Sequence, residues 1–170
     1  MNRLDPRQQA FREAMAHLCA AVSVVTSDGP AGRCGITATA VCSVTDTPPT
    51  LMLCINRSSA LNPVFKANGR LCVNVLASEH EDVAKHFAGM TRVEMEQRFG
   101  LHDWQLEPDA QPRLAGALAN LQGRVAEVRE VGTHSVLLVE LDDIRVRDRG
   151  DGLVYFSRAF HHLQRPSVAA

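Results

Sequence analysis

The chain has 170 residues, 45% hydrophobic and 22% charged, a composition that suits one domain large enough to bury a core. Eighteen basic residues stand against nineteen acidic ones, and the formal net charge of -1 leaves no overall basic field to hold nucleic acid or an anionic membrane. The longest apolar runs, such as Val136 to Val139, fall far short of the roughly 20 residues a membrane crossing needs. Met1 to Pro6 lacks the apolar stretch of a signal peptide, so the expected compartment is the cytoplasm. Cys19, Cys34, Cys42, Cys54 and Cys72 are odd in number and form no C-x-x-C pair. Four of the five sit in apolar, strand-like runs and read as small buried apolar residues, not as disulfides or a zinc site.

Asp5-Pro6 is a cap and first-turn signal, and Phe11, Met15 and Leu18 recur at helical spacing, which predicts an amphipathic helix to about Leu18. Ala20 to Ser27 and Gly35 to Val44 are strand-like and flank the turn residues Asp28 to Gly32, a hairpin or meander. Thr47-Pro48-Pro49 interrupts the pattern before a strand at Thr50 to Asn56. Ser58 to Asn68 reads as a short helix or loop ending at Asn68-Gly69, and Leu71 to Leu76 as a strand. Ser78-Glu79-His80-Glu81 fits a capping box, with Val83, Ala84 and Phe87 as the buried side of the helix it opens. Gly89 to Pro112 is polar apart from Glu94 to Phe99 and reads as a surface excursion carrying Trp104. Strands return at Leu121 to Arg129, Ser135 to Val146 and Leu153 to Phe156, with Ile144 and Val146 alternating against Arg145 and Arg147. Six or more strands, a few short helices and no βαβ alternation predict a mainly β, antiparallel barrel in a single domain spanning residues 1–170.

The chain has no G-x-x-x-x-G-K-[ST], H-E-x-x-H or G-x-S-x-G motif, and its glycines do not space as a dinucleotide-binding fingerprint. Its seven histidines are scattered and suggest no metal site. The distinctive stretch is Gly35 to Ser59. Thr37, Thr39 and Ser43 alternate with apolar residues, so a row of hydroxyls would face one side and could form the wall a planar, polar-edged ligand needs. Ser58 and Ser59, beside Arg57 at an expected helix start, offer amides, hydroxyls and a guanidinium, the parts of a phosphate seat. An edge strand rich in Thr, followed by a Ser cap, explains the same residues without any ligand.

GITATAVCSVTDTPPTLMLCIN at Gly35 to Asn56, LCVNVL at Leu71 to Leu76, HFAGMT at His86 to Thr91, EVGTHSVLLVE at Glu130 to Glu140 and GLVYFSRAFH at Gly152 to His161 together resemble the short-chain flavin reductase family. The resemblance runs from about Phe11 to His161. It implies an FMN-binding split β-barrel, antiparallel and of Greek-key type, a homodimer, and NADH-dependent reduction of free FMN or FAD. The reduced flavin would then diffuse to a separate oxygenase component. KHFAGMTRVEMEQRF at Lys85 to Phe99 tilts the resemblance toward reductases serving 4-hydroxyphenylacetate hydroxylation. FMN reductases of pyrimidine utilisation are the alternative, as is a split-barrel protein that binds flavin without turnover. Carried over residue by residue, Thr37, Ala38, Thr39, Ser43 and Val44 would run beside the flavin ring. Cys54, Ile55 and Asn56 would lie along its ribityl chain, and Ser58 and Ser59 near its phosphate. Gly132-Thr133-His134 matches a glycine, variable residue, histidine motif that would put His134 beside the nicotinamide, on a strand expected to stand apart from the flavin wall. The family often has Asp where Thr133 stands. Phe156 and Arg158 match a C-terminal segment that closes the site.

Overall fold

The computed structural model describes residues 5–108 and 110–166. Helix α1 (Pro6–Ala16) starts at Asp5, whose carboxylate accepts the Gln8 N–H at 2.8 Å while Gln8 Oε1 accepts the Asp5 N–H at 3.2 Å. This reciprocal cap, with Pro6 at the first helical position, is what the opening residues predict. Strands β1 (Ala20–Ala21), β2 (Ser23–Ser27), β3 (Cys34–Ala38), β4 (Val41–Asp46) and β5 (Pro49–Asn56) follow, then α2 (Asn62–Asn68) and β6 (Arg70–Val75). A 3-10 turn at Ser78–His80 leads into α3 (Glu81–Phe87) and α4 (Met95–Gly100). Short strands β7 (Trp104–Gln105) and β8 (Arg113–Leu114) precede the long hairpin of β9 (Ala119–Val131) and β10 (His134–Val146). The chain closes with β11 (Gly152–Phe156) and β12 (Ala159–Leu163).

Seven of these strands form one antiparallel sheet in the order β3-β2-β6-β9-β10-β5-β4. Its two edges, β3 and β4, are consecutive in the chain and are joined by Thr39 and Ala40 alone. Three Cα steps reach about 10 Å at most, so the edges must meet at this corner and the sheet must roll up. The Cys54 N–H donates to the Ala40 carbonyl at 3.1 Å and fastens the corner to β5. Among the described residues β3 and β4 form no ladder with each other, so the edges part beyond the corner and the barrel is split. A second sheet, β1-β11-β12, sits beside it.

Val25, Leu51, Leu53, Ile55, Leu71, Val73, Leu137 and Val139 fill the barrel together with Phe65 of α2. On the outer face Val22, Val24 and Leu76 pack under α3 and α4, where Phe87, Phe99 and Trp104 meet edge to face with centroids 5.1 to 5.4 Å apart. Each such pair adds about 0.5–1.5 kcal/mol beyond area burial. Gly35 makes room for this cluster, since a Cβ there would lie 2.6 Å from Phe87 Cε1. Buried Asn74 ties the layers: its amide donates to the Val24 carbonyl at 2.9 Å, and its oxygen accepts from the Leu114 N–H at 2.9 Å and from Asn120 at 2.8 Å.

Several details differ from the sequence reading. Helix α1 stops at Ala16 and buries nothing; Phe11 and Leu18 are 63% and 60% exposed. The Ser78 hydroxyl does not cap α3 but turns to Glu79 at 3.4 Å, while His80 Nδ1 accepts the Ala77 N–H at 3.3 Å. Residues 89–112 are more than a surface excursion, because Phe99, Trp104, Gln111 and Pro112 are buried. Helix α2 starts at Asn62, well after Ser58. The alternation at Ile144 and Val146 marks no buried face, for both are exposed. Of the cysteines only Cys34 and Cys72 are buried; Cys54 is half-buried, and Cys19 and Cys42 are exposed. Among the described residues no helix is long and apolar enough to cross a membrane.

Candidate functional site

Strands β5 and β10 pair so that His134 lies opposite Asn56, Ser135 opposite Ile55 and Val136 opposite Cys54. The β9–β10 turn contains Gly132 at φ +54°, a left-handed conformation that glycine adopts without steric cost. The chain leaving β5 clamps this turn: the Arg57 N–H donates to the Thr133 carbonyl at 2.9 Å and its guanidinium to the Gly132 carbonyl at 3.2 Å. Asn56 Oδ1 then accepts both the N–H and the hydroxyl of Ser58 at 2.9 Å, an Asx-type turn that fixes residues 56–58.

These two turns and Arg12 of α1 enclose a cleft of about 530 Å3 lined by Arg12, Asn56, Arg57, Ser58, Gly132, Thr133 and His134. That volume lies within the range of small-molecule sites. The Thr133 hydroxyl is 2.9 Å from His134 Nδ1, which orients the ring and leaves Nε2 for a ligand. Below the cleft, Asn62 donates to the Ile55 carbonyl at 3.2 Å and to Ser135 at 3.0 Å, and the Ser135 hydroxyl donates to Glu130 at 2.8 Å. Hydrogen bonds from Lys66 and Ser135 hold the Glu130 carboxyl below the usual carboxylate range. A connected polar network therefore joins α2 to the ends of β5, β9 and β10, and the cleft presents donors and cations.

No side chain near the cleft is a ready nucleophile. Burial raises the Cys54 thiol, and it pushes Cys34 and Cys72 up to about 12, so none is a thiolate at neutral pH. Among the described residues no cluster of three or more His, Cys, Asp or Glu is placed to hold a metal. Arginine, serine, asparagine and histidine donors without an acid, base or nucleophile set fit a phosphate-bearing, ring-containing ligand that brings its own chemistry.

Comparisons with known proteins identify the family. Residues 15–164 match the flavin reductase like domain. The chain belongs to that family. It is 74% identical over 170 residues, all of both chains, to the 4-hydroxyphenylacetate 3-monooxygenase reductase component of Pseudomonas aeruginosa. It is 51% identical over 159 residues, 94% of this chain and 95% of the relative, to the FMN reductase (NADH) RutF of Cronobacter sakazakii. Among solved structures, the Streptomyces globisporus NADH:FAD oxidoreductase SgcE6 in complex with NAD and FAD fragments superposes with a TM-score of 0.85 at 25% identity, covering 99% of this chain and 100% of that one.

As a flavin reductase, this chain arranges the expected residues in separate groups. Asn56, Ser58 and His134 meet in the cleft. His134 does not stand apart from the expected flavin wall, because its strand pairs directly with β5. The row of hydroxyls does not form: the Thr37 hydroxyl donates to the Ala84 carbonyl at 2.7 Å, exposed Thr39 sits in the barrel corner beside half-buried Ala38, and Ser43 lines a separate apolar mouth of about 310 Å3. Kinking the chain between β3 and β4 is what breaks the alternation. Ile55 points into the core and can offer a ligand only its backbone; Val44 is exposed, and half-buried Cys54 lies next to the corner. The amides of Ser58 and Ser59 are not orphans, since Asn56 accepts both, and Ser59 Oγ accepts the Leu61 N–H at 3.3 Å. Phe156 is exposed, and Arg158 is held by Glu13 of α1 at 2.6 Å.

Arg12 was not recognisable from the sequence. It lies beside the apolar stripe of α1, and nothing local says that this helix reaches the β9–β10 turn. Because Ser59 braces the turn into α2 and does not line the cleft, Ser59→Ala should lower stability by about 1 kcal/mol in chemical denaturation. Flavin affinity should move less than about twofold; a loss of about tenfold would return Ser59 to the ligand.

Proposed function

We propose that the chain is the NADH-dependent flavin reductase component of a two-component 4-hydroxyphenylacetate 3-monooxygenase, releasing reduced flavin to a separate oxygenase. The observation that carries this reading is the 74% identity, end to end, with a reductase component of that name. The pyrimidine-utilisation reading rests on the lower 51% identity. Flavin and nicotinamide, when bound, supply hydride transfer themselves, so the chain's task is to bind, orient and provide donors. In this reading Asn56 and Ser58 lie toward the flavin ribityl chain and phosphate. Thr39, Ala38 and Cys54 at the barrel corner lie toward the ring, and His134, through Nε2, toward the nicotinamide. Phe156 and Arg158 sit on the turn held to α1 by the Ser157 N–H on the Ala16 carbonyl at 2.8 Å, and in this reading that turn covers the bound ligand.

The exposed apolar residues Phe11 and Met15 on α1 and Leu18 just after it support a homodimer in which a second copy covers this face and borders the cleft. Light scattering at micromolar concentration should give about twice the 18.6 kDa chain mass, and an active monomer would contradict a site shared between copies.

Mixed with NADH alone, the purified protein should leave the nicotinamide absorbance unchanged; adding FMN or FAD should start its decay. Flavin binding without NADH consumption would favour the non-catalytic alternative. His134→Ala should raise the Michaelis constant for NADH about fivefold to tenfold, the worth of one hydrogen bond, with a smaller change in maximal rate. A loss confined to flavin affinity would place His134 on the other ligand.

A further inference from the structure

We infer that Arg12, on the N-terminal helix, completes an anion seat with Arg57 and Ser58 that takes the phosphate or diphosphate of a bound nucleotide, making α1 part of substrate recognition. This rests on the flavin reductase reading of the same cleft and adds to it a residue outside the barrel.

Charge and anchoring both support the seat. Glu130 is the carboxylate beside the cleft, and it is shared between Arg57 Nε at 3.3 Å and Lys66 Nζ at 2.5 Å, one negative charge against two positive ones. Arg12 has no carboxylate partner among the described residues. Its chain neighbour Glu13 is taken by Arg158 in a two-pronged pair at 2.6 and 3.3 Å, so the nearest acid does not neutralise it. The cleft therefore carries an excess of guanidinium charge, next to the Ser58 hydroxyl and His134. Planar guanidinium groups match phosphate oxygens with paired donors; Arg57 spends Nη1 on the Gly132 carbonyl and Nε on Glu130, so it adds charge, and among the described residues the uncommitted fork lining the cleft is that of Arg12.

The helix that carries Arg12 is anchored even though α1 buries no residue. The turn at Ser157 and Arg158 grips the helix through the Ser157 amide on the Ala16 carbonyl and through the Glu13 pair. Ser157 and Arg158 adopt φ +49° and +62°, left-handed values that cost a non-glycine residue energy. The grip on α1 is the contact that accompanies this conformation. The C-terminal turn and the cleft cation are thus two parts of one brace.

The seat can be filled from the flavin side or from the dinucleotide side, and binding measurements on the full chain separate the two. Fluorescence titration compares FMN with riboflavin, which lacks the phosphate; calorimetric titration compares NAD with nicotinamide riboside, which lacks the diphosphate. Arg12→Ala should weaken the phosphate-bearing member of one pair by about tenfold and its phosphate-free counterpart by less than about twofold. Arg12→Lys should lose less, because the charge stays while the fork is removed. A selective loss for FMN assigns the seat to the flavin, and one for NAD assigns it to the dinucleotide. Equal losses within both pairs, or none, overturn the inference while leaving the flavin reductase reading intact. A wild-type chain that binds neither FMN nor NAD overturns both.

Discussion

The two-residue link between β3 and β4 is the constraint from which the rest of the architecture follows. Thr39 and Ala40 are too short to let the edges of a seven-stranded sheet stay apart, so the sheet closes at that corner, and the Cys54 amide on the Ala40 carbonyl fixes β5 there. Because β5 is held, its end at Asn56 is held, and its register with β10 sets His134 opposite Asn56. The cleft is therefore a consequence of barrel closure. Hydrogen bonds from Asn62 through Ser135 to Glu130 tie the strand ends beside it together.

A site built at strand ends and turns also explains the absence of conventional catalytic residues. The chain contributes cations, amide-fixed turns and one oriented imidazole, a set suited to ligands that carry their own reactive rings. The apolar barrel interior gives these turns a rigid support, and the Phe87, Phe99 and Trp104 cluster outside it anchors α3 and α4 against β2 and β3. The candidate cleft, at the ends of β5 and β10, and this outer cluster, against β2 and β3, thus lie on different strands of the sheet.

Much of the fold was legible in local chemistry. The Asp5-Pro6 cap, the glycine at the end of α2 and the strand runs from Val22 to Val75 follow from turn and periodicity rules that act within a few residues. What the sequence concealed was long-range. Periodicity marks Phe11, Met15 and Leu18 as an apolar stripe but cannot say that the chain itself leaves it uncovered. Alternation at Thr37, Thr39 and Ser43 implies a common face only if the strand is straight, and the kink at Thr39-Ala40 invalidates that assumption. His134 looked separate from Asn56 because 77 intervening positions hide a direct pairing. The tight turn at Gly132 was visible, whereas its partner Arg57 was visible only as a charge.

In the proposed reading, ligands bind where β5, the β9–β10 turn and α1 converge. A second cleft, of about 630 Å3 and lined by Asp28, Arg33, Asn68, Arg70 and Gln111, lies elsewhere on the barrel and provides an internal contrast. Amide hydrogen exchange with and without saturating FMN discriminates between them most directly. Exchange should slow in peptides covering residues 54–59 and 130–135. Slowing confined to residues 28–33 and 110–113, with the first group unchanged, would contradict it.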